Sequence, residues 1–105
     1  MIERITLGDL TLNTLRGCVE LGGRQVNLTP QELKAFRLLL LCGRASHTDI
    51  YFALYGISPE CQNDAYDVVG PLIFRLRRKF QGGLIARGRI GTREYILSAE
   101  MVGIQ

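Results

Sequence analysis

Several residue types that carry chemistry are scarce in this chain of 105 residues, which has no tryptophan, one histidine and three cysteines. The cysteines (Cys18, Cys42 and Cys61) are odd in number and form no C-x-x-C pair, so we expect neither a zinc site nor a disulfide framework. No nucleophile stands at a known spacing from a base, and no glycine-rich segment ends in G-K-[ST]. We therefore expect no catalysis, no cofactor and no bound metal.

Long hydrophobic runs are also missing. Unbroken apolar runs, such as residues 38–42, are far shorter than the roughly 20 residues that a membrane span needs. The N-terminal segment lacks the cationic-then-apolar order of a secretory signal, so we expect a cytoplasmic protein. Hydrophobic residues make up 47% of the chain and charged residues 22%, as in soluble globular domains, and the length leaves room for one core.

Acidic residues are absent between Pro71 and Arg93. The net charge of the whole chain is only +3, but its charges are unevenly distributed along the sequence. Residues 1–70 contain six basic and eight acidic residues, a net charge of −2; residues 71–105 contain seven and two, a net charge of +5. Six of these seven basic residues are arginine, whose planar fork of donors suits phosphates and guanine edges. Such a run is either a solvated surface or the footprint of a polyanion-binding face.

The first 28 residues predict short strands, because hydrophobic residues alternate with polar ones at a period of two. Turn-forming residues interrupt this pattern at Gly8 and Asp9, at residues 13–17, and at Gly22 and Gly23. The segment therefore predicts a small antiparallel β-meander.

Two helices are predicted by their capping signals. Thr29 is a suitable N-cap and Glu32 completes a capping box, while Gly43 ends the helix. A second box-like pair begins at Ser46, and Gly56 ends the helix that follows. Residues 57–64 have mixed polarity and are interpreted as a loop.

A third helix and a hairpin are predicted in the basic part of the chain. Apolar residues recur there at intervals of four, three and four, which places them on one helix face: Val69, Ile73, Leu76 and Phe80. Gly70 and Pro71 disfavour a helix interior, so we expect the regular helix to start near Asp67 or later, or to kink at Pro71. Two strands then follow, around a turn at Gly91 and Thr92.

The order of these elements is that of an α+β winged helix-turn-helix domain, with an N-terminal β-meander, three helices and a C-terminal hairpin wing. The single domain, residues 1–105, would comprise the meander at 1–28, a three-helix core at 29–81 and the wing at 84–98.

Four stretches of the chain also carry a family resemblance. They are LTPQE at 28–32, the helix from Ser46 to Leu54-Tyr55-Gly56, IFRLRRKF at 73–80, and Gly91 with Tyr95-Ile96-Leu97. Together they resemble the OmpR/PhoB-type DNA-binding domain of bacterial response regulators over nearly the full length. The third stretch is the most specific, since family members carry I-x-R-L-R-[RK]-K on their recognition helix. The 105 residues show no match to the family's receiver domain, so no phosphorylation control is inferred.

The resemblance implies a transcription regulator that binds double-stranded DNA with a preference for sequence. The recognition helix, at about 68–80, would enter the major groove, and the basic wing would contact the adjacent minor groove or backbone. Arg75 and Arg78 are the candidates for base edges or nearby phosphates, and Arg77 and Lys79 for phosphates. The other candidates are the wing arginines and the start of the second helix: Arg87, Arg89 and Arg93, and Ser46, His47 and Thr48. A homodimer or tandem arrangement on DNA stays open.

Some side chains have more than one interpretation. Phe74 either contacts a thymine methyl or a sugar, or packs under the wing, and we favour packing. His47 is expected to be exposed, where it could donate to a phosphate or have no role. Tyr55 and Tyr95 match positions that are structural in the family, so both are expected in the core.

An alternative function is a winged-helix module for protein interactions that does not bind DNA. In the resembling family, the segment between the second and third helices contacts RNA polymerase. Residues 57–64, with the charges of Glu60 and Asp64, are therefore a candidate partner surface. A domain of this kind could also antagonise a related regulator.

Overall fold

The computed structural model describes residues 4–58, 62–80, 85–87 and 94–97, with backbone alone at 62–64, 66 and 85–87. The elements are β1 (Arg4–Leu7), β2 (Leu10–Asn13), β3 (Cys18–Leu21), β4 (Arg24–Asn27), α1 (Pro30–Cys42), β5 (Arg44–Ser46), α2 (His47–Tyr55), α3 (Gln62–Lys79), β6 (Ile85–Arg87) and β7 (Glu94–Leu97). The predicted winged-helix class, with meander, three helices and C-terminal hairpin, is confirmed.

The N-terminal sheet is the predicted antiparallel meander, with strand order β1-β2-β3-β4. Leu10 and Leu12 are alternate residues of β2 and both are fully buried, as the period of a strand requires. Leu12 pairs with Val19 of β3, which is also fully buried. These residues join the helices in one core cluster, so the meander covers one side of the helical core.

Both predicted capping boxes are formed. The Thr29 hydroxyl accepts from the N–H of Glu32 at 3.3 Å, and the Glu32 carboxylate accepts from the N–H of Thr29 at 2.9 Å. Ser46 and Asp49 exchange the same two bonds at 3.1 Å each. Each helix ends on a glycine in the left-handed region, a conformation that other residues adopt at a cost: Gly43 (φ 78°) and Gly56 (φ 73°).

The third helix begins earlier than predicted. A start near Asp67 or later is wrong, since α3 runs from Gln62 and continues through Pro71. Ala65 and Val69, which precede the proline, are fully buried, and so the apolar face continues without a break through Leu72 and the residues after it. Pro71 lies on the exposed face. Burial on one side of the helix therefore offsets the hydrogen bond that proline removes on the other.

The segment between α1 and α2 forms a strand that the sequence did not predict. This strand, β5, pairs with β7 in a second sheet of order β5-β7-β6. Ala45 lies opposite Tyr95, and the N–H of Leu97 donates to the carbonyl of Gly43 at 3.0 Å. The strands of the predicted wing are thereby bonded to the helical core. The turn between them lies outside the described residues.

The two tyrosines that were expected in the core differ. Tyr95 is buried, which confirms the prediction, whereas Tyr55 is exposed on α2, which contradicts it. Tyr55 is at the last position of α2, where its ring lies 4.7 Å from that of Tyr51 instead of entering the core. Cys18 is buried and Cys42 is exposed, both as free thiols, and Cys61 lies outside the described residues. Over the part of the chain that the structure describes, no helix is long and apolar enough to cross a bilayer.

Candidate nucleic-acid interface

One face of α3 is exposed along most of its length. Each of its exposed residues lies three or four positions from another, so together they form a single stripe: Asp67, Pro71, Phe74, Arg75 and Arg78. The opposite face, which includes Val69, Leu72 and Leu76, is fully buried or nearly so. We call the exposed residues the α3 stripe.

The two arginines predicted to contact DNA bases both belong to the α3 stripe. Arg75 and Arg78 are exposed and three positions apart, so their guanidinium groups start from neighbouring points on the helix surface. The guanidinium carbon of Arg78 lies 5.9 Å from the ring centre of Phe74, within the range of a cation–π contact. Arg77 is half-buried at the flank of the stripe.

Phe74 does not pack in the core. Its side chain is 61% exposed, so the favoured interpretation of packing under the wing is wrong. The core face of this turn is occupied by Ile73 and Leu76, and a step of one residue rotates the next side chain by about 100° away from that face. The aromatic ring of Phe74 is therefore presented beside the two arginines.

Lys79 contacts the protein itself, and its role as a phosphate contact stays a prediction. Its Nζ donates to Oε1 of Glu32 at 2.5 Å and to the carbonyl of Asn27 at 3.0 Å. The Lys79 side chain is 34% exposed, whereas that of Glu32 is only 1% exposed. The bond joins the last turn of α3 to the first turn of α1. No local sequence pattern indicates this bond, because the partners are 47 residues apart.

Glu32 is ionised in this pair. Burial disfavours its charged form, but the bond from Lys79, the bonds from Thr29 and the charge of Lys79 outweigh burial, so the pKa of Glu32 lies below its ordinary value of 4.5. The carboxylate therefore caps α1 and accepts from Lys79 at the same time.

The start of α2 differs from the prediction in one side chain. His47 is 7% exposed, and its Nε2 lies 2.8 Å from the hydroxyl oxygen of Tyr95. The prediction that its imidazole is exposed is therefore wrong. Thr48 is exposed as expected. The Asp49 carboxylate already bonds the N–H of Ser46 at this helix start. A phosphate contact there stays a prediction that concerns Thr48 and the backbone amides.

The remaining predicted residues are not described with their side chains. Arg89, Arg93 and Glu60 lie outside the described residues. Arg87 is described as backbone in β6, and Asp64 as backbone in α3 rather than in the predicted loop. Their roles at the wing and the partner surface stay predictions. Among the described side chains, no group of three or more His, Cys, Asp or Glu residues could hold a metal ion.

Solved structures with the same fold include three DNA-binding domains. The domain of CpxR from E. coli is 21% identical, with a TM-score of 0.69, over 92% of this chain and 98% of that one. The domain of RstA from Klebsiella pneumoniae, solved in complex with the RstA box, is 22% identical with a TM-score of 0.71 and the same coverage. The domain of E. coli CadC is 16% identical, with a TM-score of 0.61, over 92% and 94%.

These likenesses establish the winged-helix fold that the resemblance implied. No family model matches the chain. No curated protein matches it in sequence.

Proposed function

We propose that the protein binds double-stranded DNA with a preference for sequence, as a bacterial transcription regulator. The observation that carries this proposal is the α3 stripe. Arg75 and Arg78 are exposed together on the outer face of α3, while the inner face is buried in a fold shared with solved DNA-binding domains.

The α3 stripe suits the major groove, which is wide enough for a helix and in which each base pair has its own pattern of donors and acceptors. Arg75 and Arg78 would donate to guanine O6 and N7 or to nearby phosphates. Phe74, which lies beside them, would contact a thymine methyl or a sugar. The wing arginines would hold the adjacent minor groove or backbone, which adds affinity that depends on salt.

The test compares two double variants that change the net charge equally. Arg75→Glu/Arg78→Glu removes the cations of the α3 stripe, and Arg4→Glu/Arg24→Glu reverses two exposed arginines of the meander. Affinity is measured on duplexes selected by the wild-type protein from random DNA. The wild type should show a slope of log affinity against log salt of about −0.9 for each phosphate contacted.

We expect the stripe variant to lose at least about 30-fold in affinity, since each of two good arginine–base contacts contributes about 1–3 kcal/mol. The meander variant should lose only the small, long-range electrostatic part. Circular dichroism checks that both are folded. Equal affinities of the two variants would overturn the proposal.

A second candidate function, a protein-interaction module, is favoured by apolar exposure at the end of α2. Phe52, Tyr55 and Ile57 are 54%, 45% and 61% exposed, and exposed apolar side chains in one region are typical of interaction surfaces. RNA polymerase is the partner that the resemblance implies. Ile57→Asp should weaken capture of purified RNA polymerase and leave duplex affinity unchanged. If the stripe variant binds duplexes as the wild type does, this second function is the better one.

A further inference from the structure

Lys79 differs from the other cations of the recognition helix because its ammonium group faces into the protein. We propose that Lys79 is a positioning residue, and that its pair with buried Glu32 fixes the orientation in which α3 presents Arg75 and Arg78 to a duplex. This inference rests on the proposed function. It assigns to Lys79 a role different from a phosphate contact and brings in Glu32, which cannot touch DNA.

The contacts of the pair join three elements. Lys79 at the end of α3 bonds Glu32 in the first turn of α1 and the carbonyl of Asn27 at the end of β4, at 2.5 and 3.0 Å. The same Oε1 atom of Glu32 accepts from the N–H of Thr29 at 2.9 Å, which holds the carboxylate in place. A charge-assisted hydrogen bond is stronger than a neutral one, so these contacts hold the last turn of α3 against α1 and β4.

The pair lies close to the side chains that it would orient. Lys79 follows Arg78 directly and lies one helical turn after Arg75. The next residue, Phe80, stacks on Phe36 of α1 with ring centres 5.0 Å apart. Stacking of the two rings holds α3 against α1 within the core. The ion pair is the charged contact at the same end of α3, and it adds a second connection to α1 that depends on charge.

Neutralising Glu32 distinguishes the two possible roles of Lys79, because the two roles predict opposite changes in duplex binding. The Glu32 side chain is 1% exposed, so it acts on a duplex only through charge or through Lys79. Charge alone predicts that neutralising an acid strengthens binding to a polyanion. A Lys79 released to bind a phosphate would strengthen it further and make the salt dependence steeper. A positioning role predicts the opposite, namely weaker discrimination with an unchanged salt slope.

The experiment uses the full chain with Glu32→Gln, Lys79→Gln and the double variant. Glutamine at position 32 can still accept from the N–H of Thr29, because a capping box tolerates it, so the first variant removes only the charge of the acceptor. Affinity is measured against salt for duplexes selected by the wild type and for scrambled duplexes of the same composition. Glu20→Gln, an exposed acid on β3, is the control with the same change in charge.

We expect each variant of the pair to lose on the order of tenfold in preference for the selected duplexes, because an arginine out of line with its base loses part of its contact. The double variant should lose about as much as either single variant, since both break one interaction. The salt slopes should stay equal to that of the wild type. Glu20→Gln should keep the wild-type preference.

Two results would overturn the inference. One is a salt slope shallower by about 0.9 in Lys79→Gln together with tighter binding by Glu32→Gln, which would make Lys79 a phosphate contact. The other is a wild-type preference in all three variants. If a single variant does not fold by circular dichroism, the double variant decides, because it leaves no buried charge unpaired. A wild-type protein that binds no duplex at all refutes the proposed function, and this inference with it.

Discussion

Phe74 lies in α3 and Phe80 directly follows its last residue, and the environments of the two rings are opposite. Phe74 is 61% exposed, whereas Phe80 is 8% exposed and stacked on Phe36. Phe80→Ala should lower the free energy of unfolding by about 3–5 kcal/mol, because it leaves a cavity in the core. Phe74→Ala should change it by less than about 0.5 kcal/mol. Urea unfolding measures both, and equal losses would contradict these environments.

The exposed ring of Phe74 leads to a prediction about DNA as well. A phenylalanine in the major groove makes apolar contact with the C5-methyl of thymine. Duplexes selected by the wild type should therefore bind more weakly when they are synthesised with deoxyuridine, which lacks only that methyl group. Phe74→Ala should bind the two forms equally. A wild type that is insensitive to the methyl groups would place Phe74 on sugar or solvent instead.

Glu32 gives the stability of the protein a specific dependence on pH. Its pKa is held below 4.5 in the folded state, so its contribution is fully present above the unfolded pKa and is lost as pH falls through the folded one. The difference in free energy of unfolding between wild type and Glu32→Gln should therefore be largest near neutral pH and shrink below about pH 4.5. Urea unfolding of both proteins at pH 7 and pH 3 measures it. A gap that is the same at both values would contradict the pKa shift.

The sequence predicted part of the candidate site because part of it is set by helical periodicity. The exposure of Arg75 and Arg78 follows from the apolar residues on the other side of α3. The role of Lys79 depends on Glu32, and burial of His47 depends on Tyr95, 48 residues further along the chain. No local pattern contains such pairs, so both residues were predicted as surface groups.

At the scale of elements, two glycines show how backbone conformation decides the effect of one methyl group. Gly56 ends α2 with a φ of 73°, which L residues rarely adopt, whereas Gly70 lies inside α3, where a Cβ would meet no atom within 4 Å other than those of its chain neighbours. Gly56→Ala should lower the free energy of unfolding by about 1 kcal/mol, whereas Gly70→Ala should change it by less than about 0.5 kcal/mol, because the gain in helix propensity is offset by the contact of the new Cβ with the ring of Pro71. Thermal unfolding of both variants tests this contrast, and equal losses would contradict it.

Local signals predicted some elements well and others not at all. The starts and ends of α1 and α2 were predicted because capping residues act within four positions of each other. The start of α3 was misplaced because Gly70 and Pro71 have poor helix propensity, which burial of the apolar face outweighs. The strand β5 has three residues and exists through its pairing with β7, so nothing within it predicts it.

The second sheet connects the last strands of the domain to its helices. The central strand of that sheet, β7, pairs with β5 on one side and β6 on the other. Tyr95 on β7 is buried, and its hydroxyl is bonded to His47 at the start of α2. Contacts between residues so far apart in sequence form only when the domain folds, so their loss should lower the free energy of unfolding of the whole domain.

Tyr95→Phe tests the contribution of this contact to stability, because it removes only the hydroxyl oxygen. The ring still fills its place in the core, but the buried bond to Nε2 of His47 is lost, so the free energy of unfolding should fall by about 1 kcal/mol. Tyr55→Phe makes the same change at a side chain that is 45% exposed and should alter it by less than about 0.5 kcal/mol. Urea unfolding gives the magnitudes, and hydrogen exchange at the β7 amides should be faster in the first variant only. Equal effects would mean that the bond between Tyr95 and His47 does not hold β7 to the helical core.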